Sequence, residues 1–162
     1  MLDLLLYILG LIKDLEPDPV LTQDDRIAVV QSIEPYEDTE DMEVALNLLN
    51  HHCHKKAVGW DQNRHVITAS IISDNDLDFI STLDAENGLW TVDRVGVTGD
   101  IGFCQISPYW HPEIVNDPNF YDPVWQLKTC YRLYKGGTRF YGYDVRYKSK
   151  PKFVCPNQTE KN

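Results

Sequence analysis

No two cysteines of the chain are spaced as Cys-x-x-C. Cys53, Cys104, Cys130 and Cys155 stand far apart, so neither a zinc ribbon nor a redox dithiol is encoded, and a disulfide framework is left open. The patterns Gly-x-x-x-x-Gly-Lys-Ser/Thr, Gly-x-Gly-x-x-Gly and His-Glu-x-x-His are also missing, which removes support for nucleotide and zinc-protease chemistry. Long apolar runs are lacking. Met1 to Ile12 is the one strongly apolar segment, well short of the roughly 20 residues that span a bilayer. It carries Asp3 and Gly10 and lacks the basic start and small-residue cleavage site of a signal peptide, so an amphipathic or buried helix is expected. Bases are scarce: 15 Lys and Arg face 25 Asp and Glu, a net charge of −10 and a pI near 4.8. Such a chain is no footprint for a phosphate backbone, and no nucleic-acid partner is expected.

What remains is 162 residues, 43% hydrophobic, 11% aromatic and 25% charged, which fits one globular domain, or one domain plus an N-terminal appendage. The acidity is uneven. Residues 1 to 75 hold 14 acids and 5 bases, net −9, whereas residues 76 to 162 hold 11 acids and 10 bases, net −1. From Arg132 onward eight bases face only Asp144 and Glu160, a basic end suited to an anionic polymer or simply to solvent.

Residues 14 to 42 place three prolines and many acids around one short apolar run, Ile27 to Val30, which reads as linker, short strand, linker. Glu43 to Asn50 has helical spacing, and His51-His52-Cys53-His54 follows; neighbouring helical residues point apart, so no metal site is expected there. Trp60 to Ile72 is rich in β-formers, and Ser73-Asp74-Asn75 then supplies an N-cap signal. Asp74-x-Asp76-x-Asp78 begins like a calcium loop, but Phe79 stands at the required glycine and Ala85 at the closing glutamate. Asn157-Gln158-Thr159 is a glycosylation sequon by pattern only.

The second half is more informative. A helix is expected over Asp76 to Asn87, with Gly88 as its left-handed stop. Phe79, Leu83 and Glu86 fall at i, i+4 and i+7 of it, so Glu86 is expected on the apolar face. Loss of hydration there raises a carboxyl pKa, as a general acid requires. Leu89 to Ile106 alternates β-like runs with Gly96, Gly99 and Gly102, suggesting a small antiparallel lobe that carries Asp93 and Asp100. Asp122 as N-cap, Pro123 at the first helical position and Lys135-Gly136-Gly137 as stop mark another helix, with Leu127, Cys130, Tyr131 and Tyr134 at core spacing. Phe140-Tyr141-Gly142-Tyr143 follows it.

A helix ending in Glu86, a glycine-rich stretch, and then Gly99-Asp100-Ile101-Gly102-Phe103-Cys104-Gln105-Ile106 together resemble the lysozyme-like lytic transglycosylases and goose-type lysozymes. Their signature is a glutamate at a helix end followed, after a similar interval, by Gly-Ala-x-Gly-Leu-Met-Gln-Ile. Here Glu86 precedes Gln105 by nineteen residues, and the resemblance covers about Leu77 to Tyr147. Phe103 and Cys104 replace Leu and Met, Asp100 replaces the small alanine, and Asn87 replaces the serine that usually follows the glutamate. For the family's Ala-x-x-Tyr-Asn-x-Gly motif the counterpart is Tyr143-Asp144, with Tyr141 as rival.

The resemblance implies an α+β, mainly α, lysozyme-like domain with a small β-lobe over residues 71–150, preceded by an acidic extension over 1–70 and followed by a basic tail over 151–162. It implies cleavage of the β-1,4 bond between N-acetylmuramic acid and N-acetylglucosamine in peptidoglycan, without cofactor or metal. Glu86 would be the catalytic acid/base, and Asn87, Gly102, Phe103, Gln105, Tyr141 and Tyr143 would line the substrate. Asp100 or Asp93 would be the second carboxylate if the outcome were hydrolysis. A bacteriophage setting is expected, in the virion or the host cytoplasm with action at the cell wall, and the acidic extension is a candidate arm for a virion partner. The rival from another class is a non-catalytic wall-binding or virion structural protein on the same scaffold.

Overall fold

The computed structural model describes residues 21–33 and 58–138, and within them the chain is mainly helical. The helix expected at Glu43–Asn50, the histidine cluster at 51–54, Tyr141, Tyr143 and the basic tail lie outside the described residues.

Helix α1, Gln23–Ser32, replaces the strand expected at Ile27 to Val30. Thr22 and Asp25 form a reciprocal capping box, the Asp25 amide donating to the Thr22 hydroxyl at 3.1 Å and the Thr22 amide to the Asp25 carboxylate at 3.1 Å. Ile27 and Val30, one turn apart, are buried while Ala28 between them is exposed, a helical rather than an alternating pattern.

Helix α2, Trp60–Ile72, is a second correction, because its β-branched residues suggested strand. Every residue from Val66 to Ser73 is buried, so the second half of this helix is enclosed, and α1 and two later helices pack on it. Where burial is all-round, the apolar run is continuous and its period is invisible, and packing overrides the modest helix penalty of Val, Ile and Thr. The two helices close each other's ends. Gln23 donates from Nε2 to the carbonyls of Ile71 and Ile72 at the end of α2, at 2.9 and 3.2 Å. Arg64 donates to those of Gln31 and Ile33 at the end of α1, at 3.3 and 2.5 Å. Residue 70, where the N-terminal extension was expected to end, falls inside α2, and α1 and α2 belong to the same core as the later helices.

Helix α3, Leu77–Glu86, starts at Asp76, whose carboxylate accepts from the amides of Asp78 and Phe79 at 3.0 and 3.1 Å. The N-cap thus lies one residue past the expected Ser-Asp-Asn cluster. Asp74 and Asn75 instead adopt left-handed φ of 51° and 60° to turn the chain between α2 and α3. At the other end Asn87, with φ −145°, caps the helix, and the left-handed residue is Trp90 rather than Gly88. Trp90 is held there by full burial and by its indole N–H donating to Asp84 at 2.9 Å.

The lobe between Leu89 and Ile106 is slighter than expected. Two isolated antiparallel bridges, Val95 with Ile101 and Ile101 with Ile106, are its whole β content among the described residues. A short helix α4, Pro112–Val115, follows, and then α5, Pro123–Lys135. α5 begins and ends as its sequence signals require: Asp122 accepts from the Trp125 amide at 2.7 Å, and Gly137 turns the chain with φ +85°. Removing the cap as Asp122→Ala should cost about 1 kcal/mol in urea denaturation, within the roughly 0.5–2 kcal/mol span of such caps. α5 packs on α2, sets Tyr131 and Tyr134 against Phe79, and is joined to the Gly102–Ile106 turn by a Cys104–Cys130 disulfide. Closing that loop of 26 residues is worth on the order of 3 kcal/mol in the chain-entropy account.

Candidate active site

Glu86 is the last residue of α3 and is half-buried, with Phe79 and Leu83 fully buried on the turns below it. Its side chain opens onto a pocket of about 240 Å³. Asp100 and Gln105 line the same pocket, together with Cys104, Ile106 and Ser107 from the turn that follows. The residues nineteen positions apart in the motif therefore meet at one cavity.

Gln105 is held rather than free. Its φ of 52° is left-handed, and its Nε2 donates to the carbonyls of Gly102 and Arg94 at 2.9 and 3.2 Å. The side chain crosses Gly96 so closely that a Cβ there would collide with Oε1. With both amide hydrogens directed at carbonyls, Oε1 is the part of Gln105 with acceptor capacity to spare. Asp100 accepts from the Thr98 hydroxyl at 2.9 Å. Asp93, by contrast, is exposed and does not line the pocket.

Three residues expected to line substrate are put to another use. Asn87 is 1% exposed and donates to the carbonyls of Thr91 and Gly102, at 2.6 and 3.1 Å, tying the end of α3 to the turn. Gly102 is buried with φ +89°, and its missing side chain makes room for Gln126. Phe103 is fully buried against His65 and Trp90, with ring centroids at 4.9 and 6.4 Å. They hold the pocket from behind.

The sequence motif did not reach the pocket's rim. Trp110 and His111 line it, and Leu133 and Thr138 close the side toward the end of α5. Tyr109 and Trp110 are 80% and 74% exposed and meet edge to face at 4.8 Å, leaving apolar ring faces open to a ligand. Two aromatics after Pro108, in a stretch with no core periodicity, were the available signal. His111 lies 3.6 Å from Glu113, an ion pair when the imidazole is protonated.

Behind the turn, the Nδ1 of His65 is 2.8 Å from the Trp90 carbonyl, so it carries the proton and donates. Burial lowers the pKa of His65 below the ordinary histidine value, opposed in part by this hydrogen bond. A depressed pKa means that folding favours the neutral ring. Its stabilisation is complete above the unfolded value of about 6.5 and is lost as pH falls from there through the lower folded-state value. Urea stability of the wild type should therefore drop between pH 7.5 and 5 more steeply than that of His65→Gln; parallel curves would contradict the assignment.

No helix among the described residues is long and apolar enough to cross a membrane. No family model, curated protein or solved structure matches the chain.

Proposed function

We propose that this protein is a peptidoglycan-cleaving muramidase of the lytic-transglycosylase type on a lysozyme-like fold, with Glu86 as its general acid and base. The observation that carries the reading is the meeting of Glu86 and Gln105 at one pocket. The mainly helical frame with a minimal bridged turn is in keeping with it. The pocket is smaller than the roughly 300–1,000 Å³ of sites that enclose drug-sized ligands. A glycan strand would therefore seat its reacting sugar there and continue over the rim at Tyr109 and Trp110.

In this reading protonated Glu86 donates to the glycosidic oxygen as the bond to the muramic acid C1 breaks and oxocarbenium character develops. The substrate's own acetamido group stabilises the cation. Glu86, now a carboxylate, takes the proton of the muramic acid 6-hydroxyl as that oxygen bonds to C1, leaving a 1,6-anhydro end and a regenerated acid.

A hydrolytic outcome is the second reading, favoured by one observation: Asp100 lines the pocket and could position a water, while Asp93 lies outside it. Digestion of purified sacculi followed by mass spectrometry separates the cases. Anhydro ends are expected; reducing ends would move the assignment to a lysozyme using Asp100. Binding without turnover would replace the enzyme by a wall-binding protein.

A further inference from the structure

The pocket is built from pieces of chain that are distant in sequence. Glu86 ends α3, the turn supplies Cys104 and Gln105, and Leu133 and Thr138 close the side toward the end of α5. One covalent bond, Cys104–Cys130, joins the turn to α5, and Cys104 is itself part of the lining. The hydrogen bonds that tie the turn to the helices reach only its first half, the Phe103 amide donating to Gln126 on α5 at 2.8 Å and Asn87 donating to the Gly102 carbonyl at 3.1 Å, whereas Gln105 donates to the Arg94 and Gly102 carbonyls and Ile106 pairs with Ile101, all within the lobe. Past Phe103, the segment that presents Gln105 is fastened to α5 by the disulfide.

We propose that the Cys104–Cys130 disulfide is a redox latch on this pocket, so that the site is assembled in the oxidised chain and slackened in the reduced one, with the fold kept by Gln126, Asn87 and the core. The effect on turnover rests on the muramidase reading; the effect on the turn does not. Both cysteines are buried, at 2% and 0% exposure, but Cys104 borders the pocket, which gives a small dithiol an approach. Its thiolate attacks Sγ of Cys104, the S–S bond breaks, and Cys130 leaves as thiolate and is protonated. The reagent's second thiol then displaces Cys104 as a thiol, and the dithiol ends as its own disulfide. In a cell, thiol-rich compartments would hold the chain slack and an oxidising one would set it.

The test uses full-length protein in a C53A/C155A background, so that one pair of cysteines reports. Oxidised and dithiothreitol-reduced samples are compared by circular dichroism, by hydrogen exchange at the Gln105 and Ile106 amides, which bond to the carbonyls of Gly102 and Ile101 at 3.3 and 2.8 Å, and by muropeptide release from sacculi. On reduction, exchange at both amides should quicken at least tenfold and release fall at least tenfold, with helical signal retained. C104A/C130A should behave as the reduced chain whether or not dithiol is present. Should that variant not fold, reoxidation of the reduced chain must restore both readouts. Unchanged exchange on reduction, or unchanged release from an active enzyme, overturns the latch. If the oxidised chain releases nothing, the muramidase reading falls and the exchange comparison alone decides the latch.

Discussion

Glu86→Gln should lower muropeptide release from sacculi by about 10²- to 10⁴-fold, the usual contribution of a positioned acid/base, while leaving the helical spectrum unchanged. Glutamine keeps the size and hydrogen-bonding capacity of the side chain but neither delivers nor takes up a proton. The ends and the buried residues of α3 are set by other groups. α3 is started by Asp76 and closed by the Asn87 amide donating to the Leu83 carbonyl at 2.8 Å, and its buried residues are Phe79 to Leu83 and Ala85. Loss of activity with loss of helicity would therefore be uninformative about catalysis, and the spectrum is part of the measurement. Asp100→Asn serves as the companion. On the transglycosylase route it should change release less than about tenfold, because no water needs positioning; a loss comparable to that of Glu86→Gln would assign Asp100 to hydrolysis. Release undiminished in Glu86→Gln would end the proposal for this pocket.

How much of this was legible beforehand depended on where the packing lay. α3 and α5 could be read because each has a capping aspartate, Asp76 or Asp122, and an apolar stripe on one face, so that period and boundary agree. α1 and α2 could not. Ile27–Val30 and Val66–Ile72 are rich in β-branched residues, and the second run is buried throughout beneath neighbouring helices, so it has no exposed polar face to reveal a 3.6-residue period. At the site, Glu86 and Gln105 were legible because a motif fixes their interval, and the chain brings both to the pocket. The same motif named Asn87, Gly102 and Phe103 without telling which way they face. All three are buried, and the first two serve to hold the turn in place. Tyr109, Trp110 and His111 fell outside the motif, and their exposure is a property of the folded surface that no local pattern carries.

The turn that presents Gln105 depends on an interlock that can be measured. Gly102→Ala should destabilise the protein by roughly 2–5 kcal/mol in urea denaturation, from two sources. At φ +89° an L side chain costs about 1–2 kcal/mol. The new Cβ would also collide with Oε1 of Gln126 and lie 2.7 and 2.8 Å from its Cδ and Nε2, an overpacking worth about 1–3 kcal/mol. Gln126 cannot swing aside cheaply. It is fully buried, accepting from the Phe103 amide at 2.8 Å and donating to the carbonyls of Val92 and Phe120 at 3.1 and 2.9 Å. Gln126→Ala by itself should cost about 3–5 kcal/mol, since it leaves a buried amide and two carbonyls short of a partner. The double variant separates the sources: once the Gln126 side chain is gone the collision is gone, and Gly102→Ala then costs only its backbone share. The two losses should thus fall short of additivity by about 1–3 kcal/mol. Strict additivity would mean that Gly102 is required for its φ alone and that the amide of Gln126 yields to a methyl group. Non-additivity of the expected size would show that the missing side chain at 102 is what lets α5 reach the turn behind the pocket.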